Sequence, residues 1–325
     1  MRVLITGGSG FIGTNLVERF IARGDIVLNL DISTPRNPAH LHLWKFGDLL
    51  DFKDFSYHVR NFMPEVVFHM AARTDLDGKT LADYSVNTDG VENLTRILEL
   101  VPSVRRVIFA SSRLVCKIGY SPINEIDYCP TTPYGESKVL GELIVRDFIT
   151  RSSISSTIVR PTSIWGPWFS IPYKNFFISV ANGRYFHPGN LNVLKSFGYI
   201  GNTVHQLECL LNSEDAAENG KTIYLADYPP IDVRNMANAI RAKLDLPPVR
   251  SANLYILRFL AKIGDGLKFM GISNFPLTSF RLDNLITQMT YDLNPLASIA
   301  GELPYTMEEG VGLTLSWLKA QGELF

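Results

Sequence analysis

The apolar residues of this chain alternate between two rhythms. Val3, Leu4 and Ile5 form a continuous apolar run of the kind a fully buried strand needs. From Ile12 the spacing becomes helical, with Ile12, Leu16 and Phe20 on one row, Val17 and Ile21 beside it, and Gly24 closing the helix. The exchange recurs: strands are predicted at 26–30, 43–46, 65–70, 106–110 and 157–160, with helices ending at Pro64 and spanning 83–100 and 133–150. The proline-rich stretch 33–40 reads as a loop. Strands and helices alternating at these lengths specify a parallel, doubly wound α/β sheet with ligands at the carboxyl ends of its strands.

Beyond Pro161 the rhythm breaks. Trp165, Pro167, Trp168, Phe169, Pro172 and Tyr173 crowd together, a short helix starts at Phe176, and helical spacing over 201–211 precedes a strand-like run at 222–226. These features divide the chain into a sheet-bearing domain over 1–163, rejoined by a segment around 196–228, and a smaller, mostly helical domain over 164–325 with one strand near 284–289. Within 254–270 the apolar residues are interrupted by Arg258, Lys262, Gly264, Asp265 and Lys268. This segment reads as a packed amphipathic helix in preference to a membrane-surface one, because its polar residues are few and of mixed sign.

Between the first strand and the first helix stand three glycines at a spacing of three, Gly7, Gly10 and Gly13, with Phe11 and Ile12 between the last two. Glycine lets backbone approach a pyrophosphate, whose charge then sits at the helix N-terminus, so this turn is the dinucleotide fingerprint of a Rossmann fold. The second strand ends at Asp31, where a carboxylate meets the hydroxyls of an adenosine ribose. Asp48-Leu49 ends the third strand, and Asp48 can accept hydrogen bonds from the adenine amino group. Met70-Ala71-Ala72 ends the fourth, where small residues suit close approach to a cofactor. The sheet-bearing domain therefore reads as dinucleotide-binding, and the C-terminal domain as substrate-binding.

At 325 residues, 46% hydrophobic and 19% charged, the chain has room for one large α/β domain and a smaller one. A formal net charge of -1 without a basic run gives no footprint for nucleic acid. No stretch approaches the apolar length of a membrane span, and the first strand begins too early for a signal peptide. Cys116, Cys129 and Cys209 are too scattered for a disulfide framework, and His40, His42, His58 and His69 match no ligand spacing. No metal and a cytoplasmic setting are expected.

Tyr134 and Lys138 lie four residues apart on a predicted helix and so share a face. A neighbouring ammonium favours the phenolate and lowers the phenol toward neutrality, which suits a general base. Ser112, ending the fifth strand, is placed to hold a substrate oxygen across the cleft.

With Thr6-Gly-Gly-Ser-Gly-Phe-Ile-Gly13, Asp31, Asp48-Leu49, His69-Met-Ala-Ala72, Asn87, Ser111-Ser112, Pro133-Tyr-Gly-Glu-Ser-Lys138 and Arg160-Pro-Thr-Ser-Ile-Trp-Gly-Pro167, the chain resembles the extended short-chain dehydrogenase/reductases. Within them it is similar to the nucleotide-sugar epimerases and dehydratases typified by UDP-galactose 4-epimerase. The resemblance implies a catalytic triad of Ser112, Tyr134 and Lys138, a supporting Asn87, and NAD as cofactor, Asp31 repelling a 2′-phosphate. Lys138 is implied to hold the nicotinamide ribose. Arg281 is implied on the nucleotide diphosphate with Lys195 assisting, and Arg113 and Cys116 in the altered wall beside the sugar. The family's usual Val-Tyr-Gly is replaced here by Val115-Cys116-Lys117, and Arg113-Leu114 stand where dehydratases carry an acidic pair. The expectation is an NAD-dependent C4 epimerase of a nucleotide-linked sugar, homodimeric by analogy. A 4-keto-sugar reductase using NAD(P)H is the alternative; a 4,6-dehydratase and a catalytically silent dinucleotide-binding sensor or scaffold rank below.

Overall fold

A computed structural model describes residues 1–170, 172–213, 220–271 and 277–324. Its first half alternates as expected: β1 (Arg2–Thr6), α1 (Phe11–Ala22), β2 (Ile26–Asp31), β3 (Trp44–Phe46), α2 (Phe52–Phe62), β4 (Val66–His69), α3 (Asp89–Glu99), β5 (Arg106–Ala110), α4 (Pro133–Arg151) and β6 (Ser155–Pro161). The second half carries short strands β7 (Ser163–Trp165), β8 (Phe186–Pro188), β9 (Leu194–Lys195), β10 (Phe197–Tyr199), β11 (Thr222–Leu225), β12 (Ile231–Asp232) and β13 (Arg250–Ala252). Its helices are α5 (Tyr173–Ala181), α6 (Ile200–Asn212), α7 (Val233–Ala242), α8 (Leu254–Phe269), α9 (Ser279–Ile286), α10 (Asn294–Ala300) and α11 (Met307–Ala320).

One seven-stranded sheet runs β11, β6, β5, β4, β1, β2, β3, with every neighbouring pair parallel. Successive side chains of a strand point to opposite faces. Val3 and Ile5 therefore enter one core with Val66, Phe68 and Ile108, while Leu4 enters a second with Val67, Val107 and Phe109. Leu16, Val17 and Phe20 of α1 and Leu207 and Leu210 of α6 fill the first core. The second is closed by α2, α3 and α4 through Phe55, Val59, Leu94, Ile97 and Phe148. The strand run at 222–226 does return to the sheet, Thr222 pairing with Ile158.

Four local expectations are corrected. The loop at 33–40 ends in a 3-10 turn, Pro38–Leu43, started by Asn37 Oδ1 accepting from Ala39 N at 3.1 Å. The helix at 83–100 is broken into a 3-10 segment, Leu81–Asn87, and α3. Tyr84 and Asn87 are pulled into tertiary bonds to the backbone of Asp75 and Arg73, and that turns the chain out of helical geometry at Tyr84 (φ -115, ψ 26). The strand near 284–289 is largely occupied by α9, capped by Thr278, and only Met289 makes a bridge, to Lys195. The amphipathic helix at 254–270 forms as α8, but it is not packed as expected: Ala261 and Gly264 are its buried residues, and Tyr255, Phe259 and Ile263 face solvent. No helix among the described residues is long and apolar enough to cross a membrane.

At Gly13 a Cβ would stand 2.1 Å from Gly7 O and 2.6 Å from Gly8 Cα, backbone that cannot swing aside. Gly13→Ala should destabilise the fold by about 1–3 kcal/mol, read as a lower urea midpoint; an unchanged midpoint would show that the turn can spread.

Candidate active site

The glycine turn is held by close backbone approach. Gly7 has φ +71, and a Cβ there would lie 2.5 Å from Ala71 N. Gly10 N donates to Gly7 O at 2.9 Å, and α1 starts at Phe11 with no side chain capping it. Its first amides therefore remain available to an anion. Phe11 and Ile12 are half-buried on that first turn. At the end of β2, Asp31 accepts from Ser9 N (3.0 Å) and Ser33 N (2.8 Å). Burial raises its pKa, with those amide bonds and the charge of Arg36 working against the rise. Met70, Ala71 and Ala72 lie half-buried beyond β4. Asp48 is engaged in a turn, accepting from Leu50 N at 2.9 Å, and Leu49 is a core residue.

Ser112, Tyr134 and Lys138 are brought together and buried, 8%, 6% and 5% exposed. Thr132 Oγ1 accepts from Gly135 N (3.0 Å) and Pro133 opens α4, which sets Tyr134 in its first turn. A Cβ on Gly135 would lie 2.3 Å from Leu114 O, so glycine there lets the Arg113–Val115 turn rest on α4. That turn carries Ser112, whose Oγ accepts from Leu114 N at 3.1 Å and whose hydroxyl lies beside the Tyr134 phenol. Lys138 Nζ donates to Ala110 O at 2.7 Å.

The electrostatics differ from expectation. Burial pushes the Tyr134 phenol up, and what opposes it is the neighbouring Ser112 hydroxyl and the charge of Arg113. The cation acting on the phenol is thus Arg113, while burial draws Lys138 down to about 8 against the pull of Glu142.

Asn87 does not reach Tyr134 or Lys138. Its amide accepts from Arg73 N (2.9 Å) and donates to Arg73 O (3.0 Å) and Ser137 Oγ (2.9 Å), so it ties the 73–87 loop to α4. Arg113 is buried, its Nη1 3.2 Å from Met289 Sδ, and its charge works against the rise that burial gives the Tyr291 phenol. Cys116 is buried with its thiol donated to Asp127 O at 3.2 Å. Lys195 is buried and donates to the carbonyls of Asn284 and Thr287 at the end of α9. Burial, and then the charge of Arg113, bring it down to about 7. Arg281 lies exposed on α9, one turn before Asn284. No group of His, Cys, Asp and Glu among the described residues could hold a metal ion.

The model of the NAD dependent epimerase/dehydratase family matches residues 3–226. The chain belongs to this family. The N-acetyl-alpha-D-glucosaminyl-diphospho-ditrans,octacis-undecaprenol 4-epimerase of Escherichia coli O157:H7 is 27% identical, covering 97% of this chain and 94% of that one. A 3-beta-hydroxysteroid dehydrogenase of Mycolicibacterium neoaurum is 28% identical over 74% of this chain and 69% of its own. Among solved structures, the UDP-glucose 4-epimerase of Thermotoga maritima superposes with a TM-score of 0.76 at 20% identity, over 99% of this chain and 100% of that one.

Members of the epimerase/dehydratase family use NAD, and the residues here fit it. The tight glycine turn, the uncapped start of α1 and the carboxylate of Asp31 at the end of β2 make a cradle for a dinucleotide.

Glu142 was missed in the sequence. It stands one turn beyond Lys138 on α4, 2% exposed. Arg160 donates to both its oxygens, at 2.8 and 2.7 Å, Tyr128 donates at 2.8 Å, and Ser111 donates as well. Arg160, although buried, is held above its ordinary pKa by this carboxylate. The available signal was the i, i+4, i+8 series Tyr134, Lys138, Glu142 facing an arginine at a strand end.

Glu142→Ala leaves the Arg160 guanidinium buried and unpaired, so stability should fall by about 3–5 kcal/mol in a urea titration; a loss under 1 kcal/mol would mean that water replaces the carboxylate. His69, which shares a 2.8 Å hydrogen bond with Thr6 Oγ1, is held to a pKa of about 3 by burial and then by Lys138. Its folded value lies below an unfolded value of about 6.5. Its contribution is therefore complete above pH 6.5 and lost as pH falls through 6.5 toward 3. Relative to His69→Gln, the wild type should lose about 1.4 kcal/mol between pH 7.5 and 5.5, measured by denaturant midpoints; parallel curves would contradict the buried neutral imidazole.

Proposed function

We propose that this chain is an NAD-dependent epimerase acting at C4 of a nucleotide-linked hexose. The observation that carries the reading is the buried convergence of the Ser112 hydroxyl, the Tyr134 phenol and the Lys138 ammonium at the carboxyl ends of the strands, next to the glycine turn. When bound, NAD supplies a reversible acceptor for the hydride of the sugar carbon. Tyr134 Oη takes up and returns the proton of the sugar hydroxyl, while Ser112 holds that oxygen as it gains carbonyl character. Arg113 lowers the cost of the phenolate. Lys138, which donates to Ala110 O, is assigned to the nicotinamide ribose. Asn87 positions this machinery by joining the loop after β4 to α4.

Arg113, Lys195 and Arg281 are assigned to the sugar diphosphate, and Cys116 to the wall behind the sugar. Arg113-Leu114 stand in place of the acidic pair with which dehydratases eliminate water, which disfavours a 4,6-dehydratase. The cofactor is assigned to 1–163 with the return segment 196–228, and the substrate to the rest. A cytoplasmic homodimer packed through α3 and α4 completes the proposal, supported by the family resemblance and by exposed Leu100, just after α3, and Leu143 on α4.

A second reading, in which the diphosphate carries a polyprenyl chain instead of a nucleoside, is favoured by the near full-length similarity to the undecaprenol-linked sugar epimerase.

Purified protein should carry NAD and interconvert 4-epimers without added cofactor. Tyr134→Phe should reduce turnover by about 10²–10⁴-fold while NAD still raises the melting temperature. Turnover only with supplied NADH or NADPH would replace the epimerase with a keto-sugar reductase, and undiminished turnover of the variant would remove Tyr134 from the chemistry.

A further inference from the structure

The outward face of α8 is apolar, and nothing among the described residues covers it. At about 100° per residue, Tyr255, Phe259, Met270, Ile263, Ile256 and Leu260 fall within one arc of roughly 140°, and all six are exposed. Phe259 is 65% exposed. The opposite face, with Ala261 and Gly264, is the one that packs inward, and Asp265 Oδ1 ties it to α9 by accepting from Ser279 N at 3.1 Å. Phe280, the next residue of α9, is exposed as well.

Charge is segregated around this arc. Arg258 and Lys262 border its edge, and Arg250 and Lys268 stand at the two ends of the segment, against the single acid Asp265. Four basic residues and one acidic one over 250–270 contrast with a near-neutral chain.

We infer that α8 is a bilayer-docking helix, lying in the interface of an anionic lipid membrane with its aromatic and aliphatic arc in the acyl boundary and its basic residues at the headgroups. A second copy of the chain fits this face less well. A 16-residue helix is about 24 Å long, so a stripe roughly 10 Å wide offers about 240 Å², against about 800 Å² per partner in a stable protein interface. Insertion into lipid needs only a few apolar side chains and local positive charge.

The position of α8 gives the docking a consequence. It packs on α9, whose C-terminal carbonyls hold Lys195, and the chain continues to Met289 beside Arg113. One wall of the cleft is thus joined to the lipid-facing helix.

The test is co-sedimentation of the full chain with phosphatidylcholine vesicles with and without phosphatidylglycerol. Binding to the anionic vesicles should exceed binding to the neutral ones by roughly tenfold or more, and fall at high salt. Phe259→Asp combined with Ile263→Asp should abolish it, while the NAD-induced rise in melting temperature persists in the same samples. Arg258→Glu with Lys262→Glu, both exposed, repeats the test without touching the apolar arc and should weaken binding to the anionic vesicles. Failure of the wild type to co-sediment, or variants that bind as it does, would overturn the inference. So would light scattering showing a dimer that the aspartate pair converts to monomer. Because lipid binding and NAD protection are read separately, loss of one does not stand for loss of the other.

Discussion

Placing a carboxylate where water cannot reach it is costly unless every lone pair is engaged, and Glu142 meets that condition with four hydrogen bonds from three residues. Arg160 from β6, Tyr128 from the loop before α4 and Ser111 from the end of β5 all converge on it, and Arg160 in turn reaches Tyr224 on β11. Helix α4 is thereby tied across three neighbouring strands at one depth. Tyr134 and Lys138 precede Glu142 by two turns and one turn on the same face, so their height above the sheet is set by this ion pair. Shifting α4 by one residue would break the pair and move the phenol away from Ser112 together.

The parallel sheet was legible because two-sided burial writes itself as continuous apolar runs separated by helical periods. Val3, Leu4 and Ile5 are divided between two cores, and no polar residue is tolerated among them. What misled was context that periodicity does not contain. The 83–100 segment has helical spacing throughout, yet Tyr84 and Asn87 make bonds to a preceding loop that outcompete the helix. Residues 284–289 have a strand-like composition, but Thr278 caps a helix that takes in the first of them as far as Ile286.

The candidate site was legible where a motif carries its own geometry. Glycines at a spacing of three, and a phenol four residues before an ammonium, keep their relation in any fold that puts a strand before the turn or a helix under the pair. The sign of the phenol's shift was not legible, because it depends on burial and on Arg113, which reaches Tyr134 from a different element. Glu142 was invisible for a related reason: a glutamate within a helix looks like a solvated face until the strand opposite it supplies a guanidinium.

Arg113 and Lys195 carry the argument about substrate furthest. Both are buried, the charge of Arg113 adds to burial in depressing Lys195, and their hydrogen-bond partners among the described residues are a thioether and backbone carbonyls, with no carboxylate bonded to either. Two desolvated cations that repel one another and have no carboxylate bonded to them are poorly balanced by themselves. Lys195 registers the imbalance as a pKa brought down to about 7. An anion bound beside them would favour the Lys195 ammonium and screen its repulsion with the guanidinium. That is the electrostatic support for a diphosphate-linked sugar as the proposed substrate, whichever carrier the diphosphate bears.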